Sequence, residues 1–99
     1  MIIPDEIRQK YLVRRQKDIE TLKASVSAKS LEDFKRIGHQ IKGNAASFGY
    51  SELEKIAIAM ENAAMKNDLF EANKQLELFE KWYADRAAAA AATPASAAN

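Results

Sequence analysis

The chain contains no cysteine, so disulfides and thiolate metal sites are excluded. It has a single histidine, which argues against a multi-histidine zinc site and against a Ser-His-Asp triad in its usual form. Three glycines and two prolines are too few for a turn-rich β-sandwich. No apolar run approaches the roughly 18 residues of a membrane span, and the start shows no signal-peptide pattern. The expected compartment is therefore the cytoplasm. Charge of one sign is also missing: the net is +1, too little for general nucleic-acid binding. The 99 residues that remain are 47% apolar and 29% charged, enough for one soluble domain.

The charge is uneven. Residues 1–42 hold 10 Lys/Arg and 6 Asp/Glu, and residues 43–99 hold 5 and 8. The basic half carries the histidine. The run Arg8, Lys10, Arg14, Arg15, Lys17 is interleaved with acids by position 20 and reads as a solvated helix face.

Apolar residues recur at helical spacing along most of the chain, and sustained period-2 alternation is nearly absent. A first helical segment runs from about Pro4 to about Ala28, with Ile7, Tyr11, Ile19, Leu22 and Val26 on its stripe. The polar run Arg14 to Asp18 interrupts that stripe, so the segment is either one long helix or two. Ser30 is positioned to cap the next helix, with Asp33 three residues on. Leu31, Phe34, Ile37, Ile41, Ala45 and Phe48 form that helix's buried face, and Gly49 ends it. Ser51 and Glu54 fit a capping box for a third helix, which runs to about Lys66 with Leu53, Ile56, Ala57, Met60 and Ala64 inward. Asp68 caps a fourth helix that buries Leu69, Ala72, Leu76, Phe79 and Tyr83, with Leu78 and Trp82 widening the stripe.

Short breaks between helices favour antiparallel neighbours. The expected fold is all-α: an antiparallel up-down-up-down four-helix bundle over residues 1–86, its N-terminal helix whole or broken into two. Residues 87–99 form an alanine-rich tail that is expected to be disordered, with Thr93-Pro94 ending any helix.

The second helix carries the chemistry. At about 100° per residue, His39 falls opposite the face centred on Ile37 and Ile41, and so points into solvent mid-helix. Its surface neighbours are Lys35 and Arg36 before it, Lys42 and Gly43 after it, and Ala46 two turns on. A neutral imidazole is a competent nucleophile near neutral pH, its ordinary pKa being about 6.5. Gly43 costs a helix interior roughly 0.5–1 kcal/mol relative to alanine, which close approach by a partner's backbone would justify. Lysines neutralise charge on a transferring phosphoryl group. An ordinary surface histidine beside ordinary surface lysines fits the spacing equally well.

The stretch His39-Gln40-Ile41-Lys42-Gly43-Asn44-Ala45-Ala46-Ser47-Phe48-Gly49 resembles the signature of histidine-containing phosphotransfer (HPt) domains, roughly H-x-L-K-G-small-small-x-x-apolar-G. The segment Leu53-x-x-Ile56-Ala57-x-x-Met60-Glu61-x-x-Ala64 resembles the next helix of that family. Ile41 stands where leucine is commoner, and Asn44 where a small residue is frequent; Asn44 lies at the edge of the buried face, where a polar contact is open to it.

The resemblance implies a helical bundle that relays phosphoryl groups in two-component signalling. It implies that His39 accepts the group at Nε2 from an aspartyl phosphate on a response-regulator receiver domain and passes it to another receiver. Lys42 would aid the phosphoryl electrostatics, and Lys35, Arg36, Gly43 and Ala46 would serve docking on an acidic receiver. Tyr50 is either a further docking contact or a residue that packs the turn. The domain implied is a phosphocarrier rather than an enzyme, without cofactor or nucleotide site; Mg²⁺ belongs to the receiver, and no Gly-rich phosphate loop occurs here. The partners implied are receiver domains, including those of hybrid sensor kinases, with no nucleic acid and no membrane, and a monomeric state. Met1 close to the first helix and the loose tail favour a free-standing relay protein. The alternative is a docking module of the same fold that is not phosphorylated, against which the intact His39 argues.

Overall fold

A computed structural model describes residues 3–98, with side chains as far as residue 88. Among the described residues there are four α-helices, one 3₁₀ turn and no strand. The helices are α1 (Asp5–Ser27), α2 (Glu32–Asn44), α3 (Ser51–Met65) and α4 (Leu69–Ala98), and the 3₁₀ turn is Ala46–Phe48. α1 packs on α2 and α4, and α3 packs on α2 and α4, so the four close a ring around one core. That core is built from Leu22, Phe34, Ile37, Ile41, Leu53, Met60 and Phe79, all fully buried. Among the described residues no helix is long and apolar enough to cross a membrane.

α1 is unbroken, and its polar run explains how. Tyr11, Arg15, Asp18, Leu22 and Ser25 recur every three or four residues and are all buried. Arg15 and Asp18 therefore sit on the inner face, where Arg15 Nε donates to Asp18 Oδ2 at 2.7 Å and the guanidinium lies over the Tyr11 ring. Each charge is paired by its neighbour on the same helix, and the helix has no reason to break. Ile7, placed on the stripe by sequence, is exposed near the helix start.

Two expected caps are absent and one is present. α2 begins after Leu31, which takes the N-cap position, so Ser30 stands one residue too early to cap it; the Asp33 carboxylate accepts from Ser25 Oγ at 2.7 Å and Arg36 Nη2 at 2.8 Å. α3 begins after Tyr50, and Ser51 is its first helical residue, so the Ser51–Glu54 capping box does not form. Asp68 does cap α4, its Oδ1 accepting from the Glu71 backbone N–H at 3.0 Å.

The second helix is shorter than its apolar pattern suggests. It ends at Asn44, and Phe48 falls in the 3₁₀ turn, half-buried and stacked on Tyr11 at 4.1 Å. Gly49 then reverses the chain at φ +79°, a left-handed conformation that glycine adopts without steric cost. Ala63 takes the inward position expected of Ala64, which is half-buried. Trp82 is buried, while Leu78 is exposed. α4 extends through Thr93-Pro94, where the sequence predicts a stop, to Ala98. The tail expected over residues 87–99 lies mostly outside the residues whose side chains are described.

Candidate functional site

α2 and α3 meet closely because Gly38 has no side chain. A Cβ there would stand 2.9 Å from the Ala57 carbonyl oxygen and 3.0 Å from the Glu61 backbone nitrogen. The close approach brings the next residue, His39, within reach of a side chain on α3.

That side chain is Glu61. Its Oε2 lies 2.9 Å from His39 Nδ1, and its Oε1 accepts from Lys42 Nζ at 2.6 Å. The Glu61 side chain is only 12% exposed, whereas that of His39 is 69% exposed. The Lys42 ammonium holds the Glu61 carboxyl below the usual carboxylate range, with a further contribution from the His39 ring; partial burial pulls the other way and loses. Glu61 is thus ionised near neutral pH and can only accept hydrogen bonds. In a neutral ring, Nδ1 must then carry the proton and Nε2 the lone pair. The outcome is an exposed imidazole, fixed at one nitrogen, with its other nitrogen free to act as a nucleophile.

The remaining residues expected at the site divide. Lys35, Arg36, His39, Gln40, Glu32 and Glu61 line one open depression. Lys35 is exposed and makes no ion pair among the described residues. Arg36 is exposed too, but its charge is committed to Asp33. Gly43 is exposed, and a Cβ built on it meets nothing within 4 Å. Ala46 is exposed at the start of the 3₁₀ turn rather than on α2 itself. Tyr50 is buried, with Trp82 edge-on at 5.0 Å and Arg8 and Arg86 over its ring. Of the two roles open to it, the structure gives it the packing one.

Asn44 makes the polar contact that its position at the edge of the buried face left open. Tyr11 Oη donates to Asn44 Oδ1 at 2.6 Å, and burial pushes the Tyr11 phenol up, so it stays protonated and remains a donor. Glu61 and Gly38 are the site residues that periodicity does not single out. Glu61 lies 22 positions from His39 on a different helix. Its sequence signals are a polar residue beside Met60 on the inward stripe of α3 and its place in the segment Leu53 to Ala64 that resembles the family's next helix.

A family model, the Hpt domain, matches residues 6–94. No curated protein and no solved structure matches the chain.

Proposed function

The chain belongs to the Hpt domain family, and we propose that it is a phosphorelay intermediate whose phosphorylated residue is His39. Nε2 attacks the phosphorus of an aspartyl phosphate on a receiver domain; the N–P bond forms, the P–O bond to the aspartate breaks, and the carboxylate departs. The reverse step, on the aspartate of a second receiver, releases the group. The observation that carries this reading is the Glu61 carboxylate on His39 Nδ1, which leaves Nε2 exposed with its lone pair.

Lys42 is the electrostatic partner of the transferring group. Its ammonium has three donors, and one of them is engaged by Glu61. Gly43 and Ala46 keep the surface beside His39 low, so that a receiver can bring its aspartate to the ring. Lys35 and Arg36 belong to the docking side. The chain acts as a carrier without a cofactor or nucleotide of its own, and Mg²⁺ enters with the receiver. We read the four helices as an antiparallel up-down-up-down bundle on the strength of their short links, and the protein as a cytoplasmic monomer.

Phosphotransfer from a panel of receiver domains charged with radiolabelled acetyl phosphate tests this directly. The expected result is acid-labile, base-stable label on the wild type and none on His39→Gln. Absence of label from every receiver, with the helical fold intact, would replace this reading with that of a docking module.

A further inference from the structure

Two of the five arginines lie outside the His39 depression and converge on Tyr50. The guanidinium carbon of Arg8, on α1, stands 5.8 Å from the Tyr50 ring centroid, and that of Arg86, on α4, stands 5.7 Å from it. The two charges therefore lie within about 12 Å of each other, close to the screening length of about 10 Å in 0.1 M salt. Arg86 also stands 5.8 Å from the Trp82 ring. Among the described residues neither guanidinium comes within 4.0 Å of a carboxylate, whereas Arg15 and Arg36 each hold an aspartate. Residues 1–2 and 89–99, whose side chains are not described, include no Asp or Glu.

The neutral groups of this cluster are donors as well. Trp82, packed edge-on against Tyr50, is only 3% exposed, and its buried Nε1–H meets no acceptor among the described residues. Tyr50 Oη accepts from Arg8 Nη1 at 3.4 Å, and its own proton has no acceptor among the described residues. Besides that hydroxyl, Arg8 reaches the Phe48 carbonyl, also at 3.4 Å, beyond the usual range of about 2.7–3.2 Å. A buried N–H without a partner is rare in a folded protein, and two like charges on one ring repel each other. The ring faces attract both cations but offer their N–H groups no oxygen. One kind of ligand corrects both deficits: an anion with several oxygens.

We propose that Arg8, Tyr50, Trp82 and Arg86 form a binding site for a phosphate dianion, free or carried as the monoester of a small molecule. The charge matches: a phosphate group carries about −1.5 to −2 near pH 7, against two guanidinium charges, whereas a single carboxylate leaves one of them uncompensated. A guanidinium's planar fork binds phosphate oxygens in pairs, and its long stem lets two forks turn toward one anion. The Tyr50 hydroxyl and the Trp82 indole donate to the remaining oxygens. Arg86 is exposed and lies over the indole, so its side chain turns aside to admit the anion to Nε1. Occupancy ties the start of α1 to α4 and to Tyr50 at the entry to α3, and so stabilises the bundle. None of these residues lines the His39 depression, and the proposal stands apart from the phosphorelay reading.

Trp82 is the single tryptophan, so its indole N–H gives one proton–nitrogen resonance that reports on the site alone. The test titrates the full chain with inorganic phosphate, glycerol phosphate, acetate and chloride at matched ionic strength and neutral pH. Inorganic phosphate should move the indole resonance saturably and raise the thermal unfolding midpoint, while acetate and chloride do neither. Arg8→Gln and Arg86→Gln should each raise the half-saturating phosphate concentration by about tenfold or more with the helical circular dichroism retained; should Arg8→Gln fail to fold, the exposed Arg86 carries the test. His39→Gln should leave the titration unchanged. Tighter binding of glycerol phosphate than of inorganic phosphate assigns the site to a monoester, and the reverse order assigns it to the free anion. An indole shift that follows ionic strength alone, acetate acting as well as phosphate, or a phosphate response that survives in both arginine variants overturns the inference.

Discussion

His39 Nδ1 and Glu61 Oε2 stand 2.9 Å apart on two different helices, and the carboxylate also holds Lys42 at 2.6 Å. One acidic side chain thereby orients the imidazole, selects its tautomer and tethers the nearest cation. Replacing it by an amide should disturb all three. In Glu61→Gln the side chain can donate as well as accept, so the preference for Nδ1–H falls. Nitrogen chemical shifts of the His39 ring should show a mixed tautomer population, and phosphoryl acceptance should slow by about tenfold, corresponding to about 1.4 kcal/mol. An unchanged tautomer and an unchanged rate together would show that Glu61 does not position the ring.

The same carboxylate makes the site sensitive to acid. Because the Glu61 pKa is lowered in the folded chain, chiefly by Lys42, its stabilising contribution is complete above the ordinary glutamate value of about 4.3 and is lost as pH falls through the lower, folded value. Wild type should therefore lose stability on acidification more steeply than Glu61→Gln, with the two curves diverging below about pH 5. Urea titrations at a series of pH values measure this; parallel curves would mean that the folded chain does not favour the ionised form.

Gly38 and Gly43, five residues apart on one helix, should respond oppositely to alanine. At Gly38 the new methyl meets the α3 backbone, which cannot step aside, so α2 must shift. The expected cost of overpacking is about 1–3 kcal/mol, offset by up to about 1 kcal/mol of helix propensity. The shift should also weaken the His39–Glu61 contact. At Gly43 a methyl meets open space, and stability should hold or rise by up to about 1 kcal/mol. Equal unfolding midpoints for the two variants would contradict this.

A longer side chain at Gly43 separates fold from docking. Gly43→Gln should keep the helical signal while filling the surface beside His39 and impairing transfer from a receiver. Phosphotransfer kinetics on the folded variant decide it, and a wild-type rate would remove Gly43 from the docking surface.

Inside the bundle, Arg15 and Asp18 are the pair to break. Asp18→Ala leaves a buried guanidinium without its carboxylate and should cost about 3 kcal/mol or more, whereas Asp33→Ala, which releases a half-exposed pair with Arg36 and one bond from Ser25, should cost about 1–2 kcal/mol. Replacing Arg15 and Asp18 together by apolar residues should recover much of the first loss. Chemical denaturation of the three variants orders them.

Much of the molecule was legible from local spacing. Helix periodicity is a property of residues three and four apart, so the core positions Phe34, Ile37, Ile41, Leu53, Met60 and Phe79 could be named from sequence, and His39 could be placed on the solvent side of α2. Asp68 acts through its own backbone neighbours and was equally readable, whereas Gly49, expected to end α2, closes the separate 3₁₀ turn that follows Asn44. Caps at Ser30 and Ser51 failed by one residue of register: Leu31 takes the N-cap position of α2, and the chain enters α3 from a buried Tyr50, which leaves Ser51 already helical.

What joins two helices belongs to the tertiary structure. The sequence determined that a histidine would stand exposed beside lysines and a glycine on a short amphipathic helix. It did not determine which lone pair that histidine would offer, or how much of the surrounding positive charge would remain free. Those follow from Glu61 meeting His39 and Lys42 across the close approach at Gly38, and from Asp33 drawing in Arg36. The physical reason is range. Helical periodicity follows from bonds four residues long, whereas a carboxylate meets an imidazole 22 residues away only once two helices have packed to within a hydrogen bond's length.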